Sequence, residues 1–582
     1  MNAPPPASVV APGARSSSLW PARILMGMLI FVVSALIVLP IGVLAIGSFL
    51  SDPPRALSFN WAGITLQNYI VVFTDSSFPP LLKATVGTSL VGTAGAIIIG
   101  SGLAWLAVRT DIPGRGVINA IAIMPMFIPP LVGAFAWDIL ASPRSGILNI
   151  LFRSLQVPVA LNIYTIEGIA FVFAIYYAPY VYLFVSSALR NMDPVFEEAS
   201  ALSGAGRLRT MLRVTLPLVL PALLSSGLLV FVLLIQLFSI PAVLGEPGNI
   251  KFMSTRIWEL IGFSPPEINV ASALGMLMLL VTVLLVLAQH RLLASRSFVT
   301  VAGKGLRPKI IELGVTRRPL AALCYAYLLI GVLLPFAALV FIALRRNLFF
   351  NSLAAMMNPA QFSTEQFGLV LSDPFVQLAL KNSMLVAFCT VAVGCTLYFT
   401  IAYVVHRTRL PGRRALNVVA TMPIAIPGII LGLGYLWSWV SIPIGIFGTI
   451  WIIILAYIAQ FSPQGVHAIS GALVQIHPEL EESSRICGAG FLYTLRRVVV
   501  PLSWPGVLAA MTLLVVLSFR ELATALFLYT TNTVVFSLTM FDSWARGSTR
   551  LVAVMALVQS AIIMAFVVLS QLTRRGQAQT VL

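Results

Sequence analysis

Two glutamate pairs, Glu197–Glu198 and Glu481–Glu482, open stretches with the same order of residue types. One reads EEASALSGAGRLRTMLRVTLP at 197–217 and the other EESSRICGAGFLYTLRRVVVP at 481–501. At a constant offset of 284, Glu198 matches Glu482, Gly204 matches Gly488, Arg213 matches Arg497 and Pro217 matches Pro501. Carboxylates suit the positive end of a helix, and Asp193–Pro194 and His477–Pro478 provide helix starts just ahead of them. Ala199, Ser200 and Ala201 leave a narrow surface that another protein can approach closely. Gly204 and Gly206, with Gly488 and Gly490, break each helix into a turn, after which a basic helix runs to the proline. The chemistry is that of docking. An amphipathic loop would explain one copy, but not two copies matched at Glu, Gly, Arg and Pro.

A second group of candidates lies inside apolar runs. Arg520 and Glu521, in LSFRELATALFLY, stand about twenty residues into one such run, and their repeat equivalents are Gln236 and Leu237. Ionisable groups are costly in a bilayer, so polar residues at matched depth mark either a translocation path or a helix-packing ion pair. Adjacent helical residues diverge by about 100°, which argues against Arg520 pairing with Glu521. Asp138, beside Trp137, is a further path candidate. Metal chemistry finds little support, because His290, His406, His467 and His477 are scattered. No G-x-S-x-G or H-E-x-x-H pattern occurs, and Cys324, Cys389, Cys395 and Cys487 show no CxxC spacing.

The elements that position these residues must be membrane helices. Hydrophobic residues make up 59% of the 582 positions and charged residues 9%, too few to clothe a soluble surface. Twelve apolar segments begin near residues 23, 84, 117, 166, 214, 267, 320, 382, 416, 446, 501 and 550. They are continuously apolar rather than alternating, so the expected fold class is an all-α polytopic membrane protein. The run from Ile24 to Leu50 is too long for a signal-peptide core and is expected to be a retained span. An inside N-terminus places about two thirds of the 36 Lys and Arg residues inside, the bias of a plasma-membrane protein. That placement accounts for the net charge of +17 without a nucleic-acid partner.

The duplication extends beyond the elbows. RTDIPGRG at 109–116 aligns with RTRLPGRR at 407–414, and IMPMFIP at 123–129 with TMPIAIP at 421–427, both at an offset of 298. Two parallel six-helix repeats follow, over 23–289 and 320–571. They are flanked by a disordered 1–22 stretch and a 572–582 tail, both cytoplasmic. A basic inner linker at 290–319 joins them, and its charge either holds lipid headgroups or enforces topology.

The elbows resemble the EAA loop of type I ABC-importer permeases, whose pattern is EAA, three residues, Gly, nine residues, then I-x-L-P. Glu198-Ala199-Ser200, Gly204 and Val214-Thr215-Leu216-Pro217 match it, as do Glu482-Ser483-Ser484, Gly488 and Val498-Val499-Val500-Pro501. Serines replace alanines in both copies, and the second is the more divergent. The resemblance implies that Glu197, Glu198, Ala199, Gly204, Arg213 and Pro217, with Glu481, Glu482, Gly488, Arg497 and Pro501, couple the chain to two ATPase subunits. It also implies a periplasmic or extracellular substrate-binding protein and a bacterial cytoplasmic membrane location. No G-x-x-x-x-G-K-[S/T] occurs, and LSGAG at 202–206 lies within the loop pattern. The chain is therefore expected to be no enzyme and to hold no cofactor, with ATP bound by its partners.

Residues 238–261 and 519–529 resemble segments of fused ferric-iron permeases, a subgroup similar to thiamine, polyamine and phosphonate permeases. Ferric iron is the cargo this implies. An ion-gradient-driven secondary transporter, also built from parallel repeats, is the rival class.

Overall fold

A computed structural model describes residues 20–53, 60–193, 195–294, 310–348, 350, 352–442 and 444–580. Pro194, most of the 1–22 stretch and linker residues 295–309 lie outside these. Backbone groups in hydrocarbon must be satisfied within their own segment, and the described chain is accordingly helical. Among the described residues nine helices are long and apolar enough to span a membrane: Arg23–Ser48, Phe78–Arg109, Ile166–Asn191, Met211–Gln236, Ile268–Gln289, Gly314–Leu344, Pro374–Arg407, Phe491–Arg520 and Thr549–Leu572. Counted as one span each, three bent helix pairs bring the total to twelve, six in each half: Arg115–Phe127 with Pro130–Ala141, Arg413–Ala425 with Gly428–Val440, and Ile450–Gln460 with Ser462–Val474. Spans are numbered first to twelfth in chain order. The elbows share one face of the molecule, called here the elbow face.

Prolines explain the departures from straight helices. The third and ninth spans bend by 95° and 113° just after Met124–Phe127 and Met422–Ala425, where MPMFIPP and MPIAIPG remove N–H donors. The expected second helix of each elbow is not a separate element. In both halves it runs on into the fifth or eleventh span through a π-helical turn, Met211–Thr215 or Leu495–Val499. Pro217 and Pro501 stand two residues past these turns, and the wider turn lets the helix continue past a residue that cannot donate.

Pro179 and Pro463 are repeat equivalents with different outcomes. The fourth span continues unbroken through Pro179, whereas the tenth bends by 53° at its equivalent. The cause is an exchange of sizes between neighbouring helices. Gly100 of the second span lies against Val181, while in the second half Tyr398 takes the Gly100 position and Gly465 that of Val181. Tyr398 is fully buried, and its hydroxyl donates to the Ile458 carbonyl at 2.5 Å, satisfying an acceptor that the bend releases. A Cβ at position 465 would overlap the Tyr398 ring. Gly465→Val is therefore expected to lower stability by about 1–3 kcal/mol, read as a reduced melting temperature of the detergent-solubilised chain. A Gly465→Val/Tyr398→Gly double variant should recover most of it.

The two halves are interlocked. The first span lies against the second half, where the Tyr435 hydroxyl donates to the Leu36 carbonyl at 2.7 Å and Gly434 admits Pro40. The seventh span lies against the first half, where the Tyr327 hydroxyl donates to the Ile175 carbonyl at 2.9 Å. After the linker, Ile311 N–H donates to the Arg109 carbonyl at 2.8 Å, and Asp111 N–H donates to the Ile311 carbonyl at 3.1 Å. Asp111 also accepts from Leu313 N–H at 2.9 Å. Position 111 corresponds to Arg409 in the second half, which has no carboxylate to offer such a strand.

Candidate functional site

Each elbow begins with a short helix, Val195–Leu202 or Pro478–Ile486. Both end in the same glycine turn. Gly204 and Gly488 have φ of +77° and +84°, the left-handed conformation that side-chain-bearing residues adopt at a cost. Beyond them, Ala205 N–H donates to the Ser200 carbonyl and Ala489 N–H to the Ser484 carbonyl, each at 3.1 Å. This is the Schellman arrangement that satisfies the last carbonyls of a helix. No atom lies within 4 Å of a Cβ built on either glycine, so conformation rather than crowding requires glycine there.

The serines that depart from the loop pattern close the elbows. Ser200 Oγ hydrogen-bonds Thr210 Oγ1 at 2.8 Å, and Ser484 Oγ hydrogen-bonds Thr494 Oγ1 at 2.9 Å. An alanine at either position would lose this bridge between the two arms.

The paired glutamates divide their roles. Glu198 and Glu482 are exposed, whereas Glu197 and Glu481 are buried and anchor the elbow to its own half. Glu197 Oε2 lies 3.3 Å from Arg109 Nη1, at the end of the second span, and its other oxygen accepts from Thr215 Oγ1 at 2.7 Å. Glu481 Oε1 lies 3.4 Å from Arg407 Nε, at the end of the eighth span, and Oε2 accepts from the Tyr403 hydroxyl at 3.0 Å. Each carboxylate thus pairs with the repeat-equivalent arginine but takes its hydroxyl donor from a different element. Where the first half has Trp105 and Thr215, the second has Tyr403 and Val499.

The two ion pairs are not equally supported. Arg407 Nη2 also donates to the Leu473 and Ile476 carbonyls at 2.6 and 2.5 Å, capping the tenth span. Arg109 is fully buried, and among the described residues its Nε and Nη2 have no hydrogen-bond partner, whereas in the second pair Nε alone among the buried nitrogens of the Arg407 guanidinium lacks one.

Outward from these anchors each elbow helix ends in an exposed apolar residue. Leu202 is 90% exposed and Ile486, its equivalent at the offset of 284, is 86% exposed. Each stands at the tip of its elbow helix, on the side away from the buried glutamate. Arg213 and Arg497 are exposed in the π-helical turns, and Pro217 and Pro501 are exposed at the start of the spans. Ala199 is exposed as well. Sequence reasoning missed Arg109, Arg407 and the Leu202–Ile486 pair. The arginines were visible in the RTDIPGRG and RTRLPGRR repeat, but stand at the offset of 298 rather than 284 and read as topology signals.

The path candidates lie where the halves meet. Gln236 Nε2 donates to the Ile424 carbonyl at 3.2 Å, and Arg520 Nη1 donates to the Met126 carbonyl at 3.1 Å. Arg520 and Glu521 form no ion pair, but helical divergence is not the reason. The helix ends at Arg520, and Glu521 is extended, with Oε1 accepting from Thr524 N–H at 2.9 Å and Thr524 Oγ1 at 2.8 Å. Asp138 belongs to a different contact. It accepts from the Tyr164 hydroxyl within its own half and from Trp544 Nε1 of the other half at 3.4 Å.

Comparison with known proteins places this architecture. The chain is 28% identical over 497 residues to a putative ferric transport system permease protein, FbpB 1, of Haemophilus influenzae, covering 84% of this chain and 74% of that protein. It is 28% identical over 475 residues to the ferric transport system permease protein FbpB of Actinobacillus pleuropneumoniae, covering 80% and 66%. A putative 2-aminoethylphosphonate transport system permease protein, PhnV, of Salmonella typhimurium is 28% identical over 186 residues, covering 31% of this chain and 69% of that protein. Among solved structures, a bacterial ABC transporter that imports the acidic polysaccharide alginate matches 44% of this chain and 94% of its own, at 15% identity and a TM-score of 0.36. The family model for the binding-protein-dependent transport system inner membrane component matches twice, at residues 96–299 and 401–576. The chain is a multi-pass inner-membrane permease of that family, carrying its module once in each half.

Proposed function

We propose that this chain supplies both halves of the translocation pathway of an ABC importer for ferric iron, with one ATPase subunit docked on each elbow. The observation that carries the reading is the geometric identity of the two elbows. Each presents an apolar tip, a left-handed glycine turn and a buried glutamate tied to the end of the second or eighth span. The elbow face is then cytoplasmic, with both termini on that side, and a substrate-binding protein delivers cargo to the opposite face. The linker at 290–319 joins two permease domains, and Glu197, Glu198, Ala199, Gly204, Arg213, Pro217 and their equivalents form the coupling surface. ATP is bound and hydrolysed by the partner subunits.

The anchors explain how such a partner could drive transport. A carboxylate–guanidinium pair in a half-dry site is stiff, since separating it leaves two uncompensated charges. Elbow movement is therefore passed to the second and eighth spans through Glu197–Arg109 and Glu481–Arg407. It passes to the fifth and eleventh spans through the unbroken helix. Iron is the cargo favoured because the ferric permeases align along most of this chain, over 84% and 80% of it.

Uptake of radiolabelled ferric iron by cells expressing the chain with its ATPase and binding protein tests the cargo. Uptake that requires all three components is expected. Uptake of a phosphonate, thiamine or a polyamine instead of iron would refute the cargo and leave the class intact. Uptake driven by an ion gradient without the ATPase would refute the class.

A further inference from the structure

The two seam contacts made by Gln236 and Arg520 are one contact made twice. Positions 236 and 520 are equivalents at the offset of 284, and the acceptors Met126 and Ile424 are equivalents at the offset of 298. Each half reaches across the seam from the same position to the same backbone carbonyl of the other half.

Both acceptors are made available by the breaks in the third and ninth spans. The residue four beyond Met126 is Pro130, which has no N–H, and Gly428, four beyond Ile424, opens the helix beyond the 113° bend. An unpaired carbonyl at membrane depth needs a donor, and in each case the opposite half supplies one. Arg115 begins the third span at the elbow face. Met126, eleven residues on, lies about 17 Å from it along the helix, close to the middle of a bilayer. Among the described residues Arg520 makes no ion pair, and Glu521 is held by Thr524 rather than turned to its neighbour. The Thr282 hydroxyl, also from the first half, donates to the Ala425 carbonyl at 2.6 Å and steadies the ninth-span acceptor turn.

Both donors end helices that begin at the elbows. From Pro217 to Gln236, and from Pro501 to Arg520, the chain is helical for about 28 Å. Movement of an elbow is therefore delivered at the seam.

We propose that positions 236 and 520 form a reciprocal latch. Its two hydrogen bonds close the path between the halves at mid-membrane, and displacement of the elbows releases it. Gln236 and Arg520 are positioning residues that act on the opposite half's broken span. The latch rests on the path lying between the halves, but its test requires neither ATPase nor cargo and so fails or succeeds independently of the proposed importer.

The full-length chain is reconstituted alone into potassium-loaded liposomes, and efflux is followed with a potassium-sensitive dye. The Gln236→Ala/Arg520→Ala variant is expected to leak at least tenfold faster than the wild type. Arg520→Gln, which places at 520 the residue type that makes the equivalent contact from position 236, is expected to stay tight. So is the exchanged variant Gln236→Arg/Arg520→Gln, which restores one cationic and one neutral donor with their halves reversed. A double alanine variant as tight as the wild type overturns the latch. So does an Arg520→Gln variant as leaky as Arg520→Ala, a comparison that carries the test if the double variant fails to fold.

Discussion

Glu197→Ala is expected to reduce uptake per chain more than tenfold, and by more than Glu481→Ala does. Both substitutions leave a buried guanidinium without its carboxylate, a loss of about 3–5 kcal/mol in sites of this kind. The surroundings decide the order. Arg407 keeps the Leu473 and Ile476 carbonyls when Glu481 is removed. Among the described residues the Arg109 side chain has one hydrogen bond, to Glu197, and is fully buried, so no partner remains to the guanidinium. A purely structural role would lower uptake only in proportion to the amount of chain in the membrane. Glu197→Ala/Arg109→Met separates the two possibilities, because an apolar side chain of similar length removes the stranded charge. The chain should return to near wild-type abundance on immunoblots of membranes while uptake stays at least tenfold down. Recovery of uptake together with abundance would show that the pair only stabilises the fold.

The second large effect concerns the tips. Leu202→Asp/Ile486→Asp is expected to abolish co-purification of the ATPase while leaving the chain inserted and stable. Burial of a Leu or Ile side chain in a partner's groove contributes about 1.5–3 kcal/mol, so removing one anchor weakens binding by one to two orders of magnitude. An aspartate adds the cost of desolvating a charge. Both residues are almost wholly exposed, so neither substitution removes a contact within the chain. A melting temperature unchanged within a few degrees, measured on the detergent-solubilised variant, accompanies the loss. Undiminished ATPase capture by the double variant would place the docking surface elsewhere.

Much of this was legible in the sequence because the constraints are simple. Long apolar runs have few options in a bilayer, and all twelve fall on spans or bent pairs of helices. The repeat offset located both elbows to the residue, and glycine in a left-handed turn is what Gly204 and Gly488 proved to supply. Side-chain direction was less accessible. Glu197 and Glu198 are indistinguishable by type, yet adjacent helical positions face about 100° apart, and only the first looks inward. The bridges made by Ser200 and Ser484 were hidden for a related reason, since their partners Thr210 and Thr494 stand ten residues further on. Long-range pairing was the least visible. Arg109 and Glu197 are 88 residues apart in regions with different repeat offsets, and the seam bonds span 188 and 394 positions. The bend at Pro463 but not at Pro179 depends on Tyr398 replacing Gly100 two helices earlier, a choice that no local reading of the proline contains.

The account turns on two equivalent elbows, each holding one ATPase subunit, and the stoichiometry of the purified complex tests it most directly. Native mass spectrometry of the chain expressed with its ATPase is predicted to show two ATPase copies per chain. Ile486→Asp or Leu202→Asp alone should reduce this to one, and the pair of substitutions to none. A single copy bound to the wild type would contradict the equivalence of the elbows, and so would two copies retained by the doubly substituted chain.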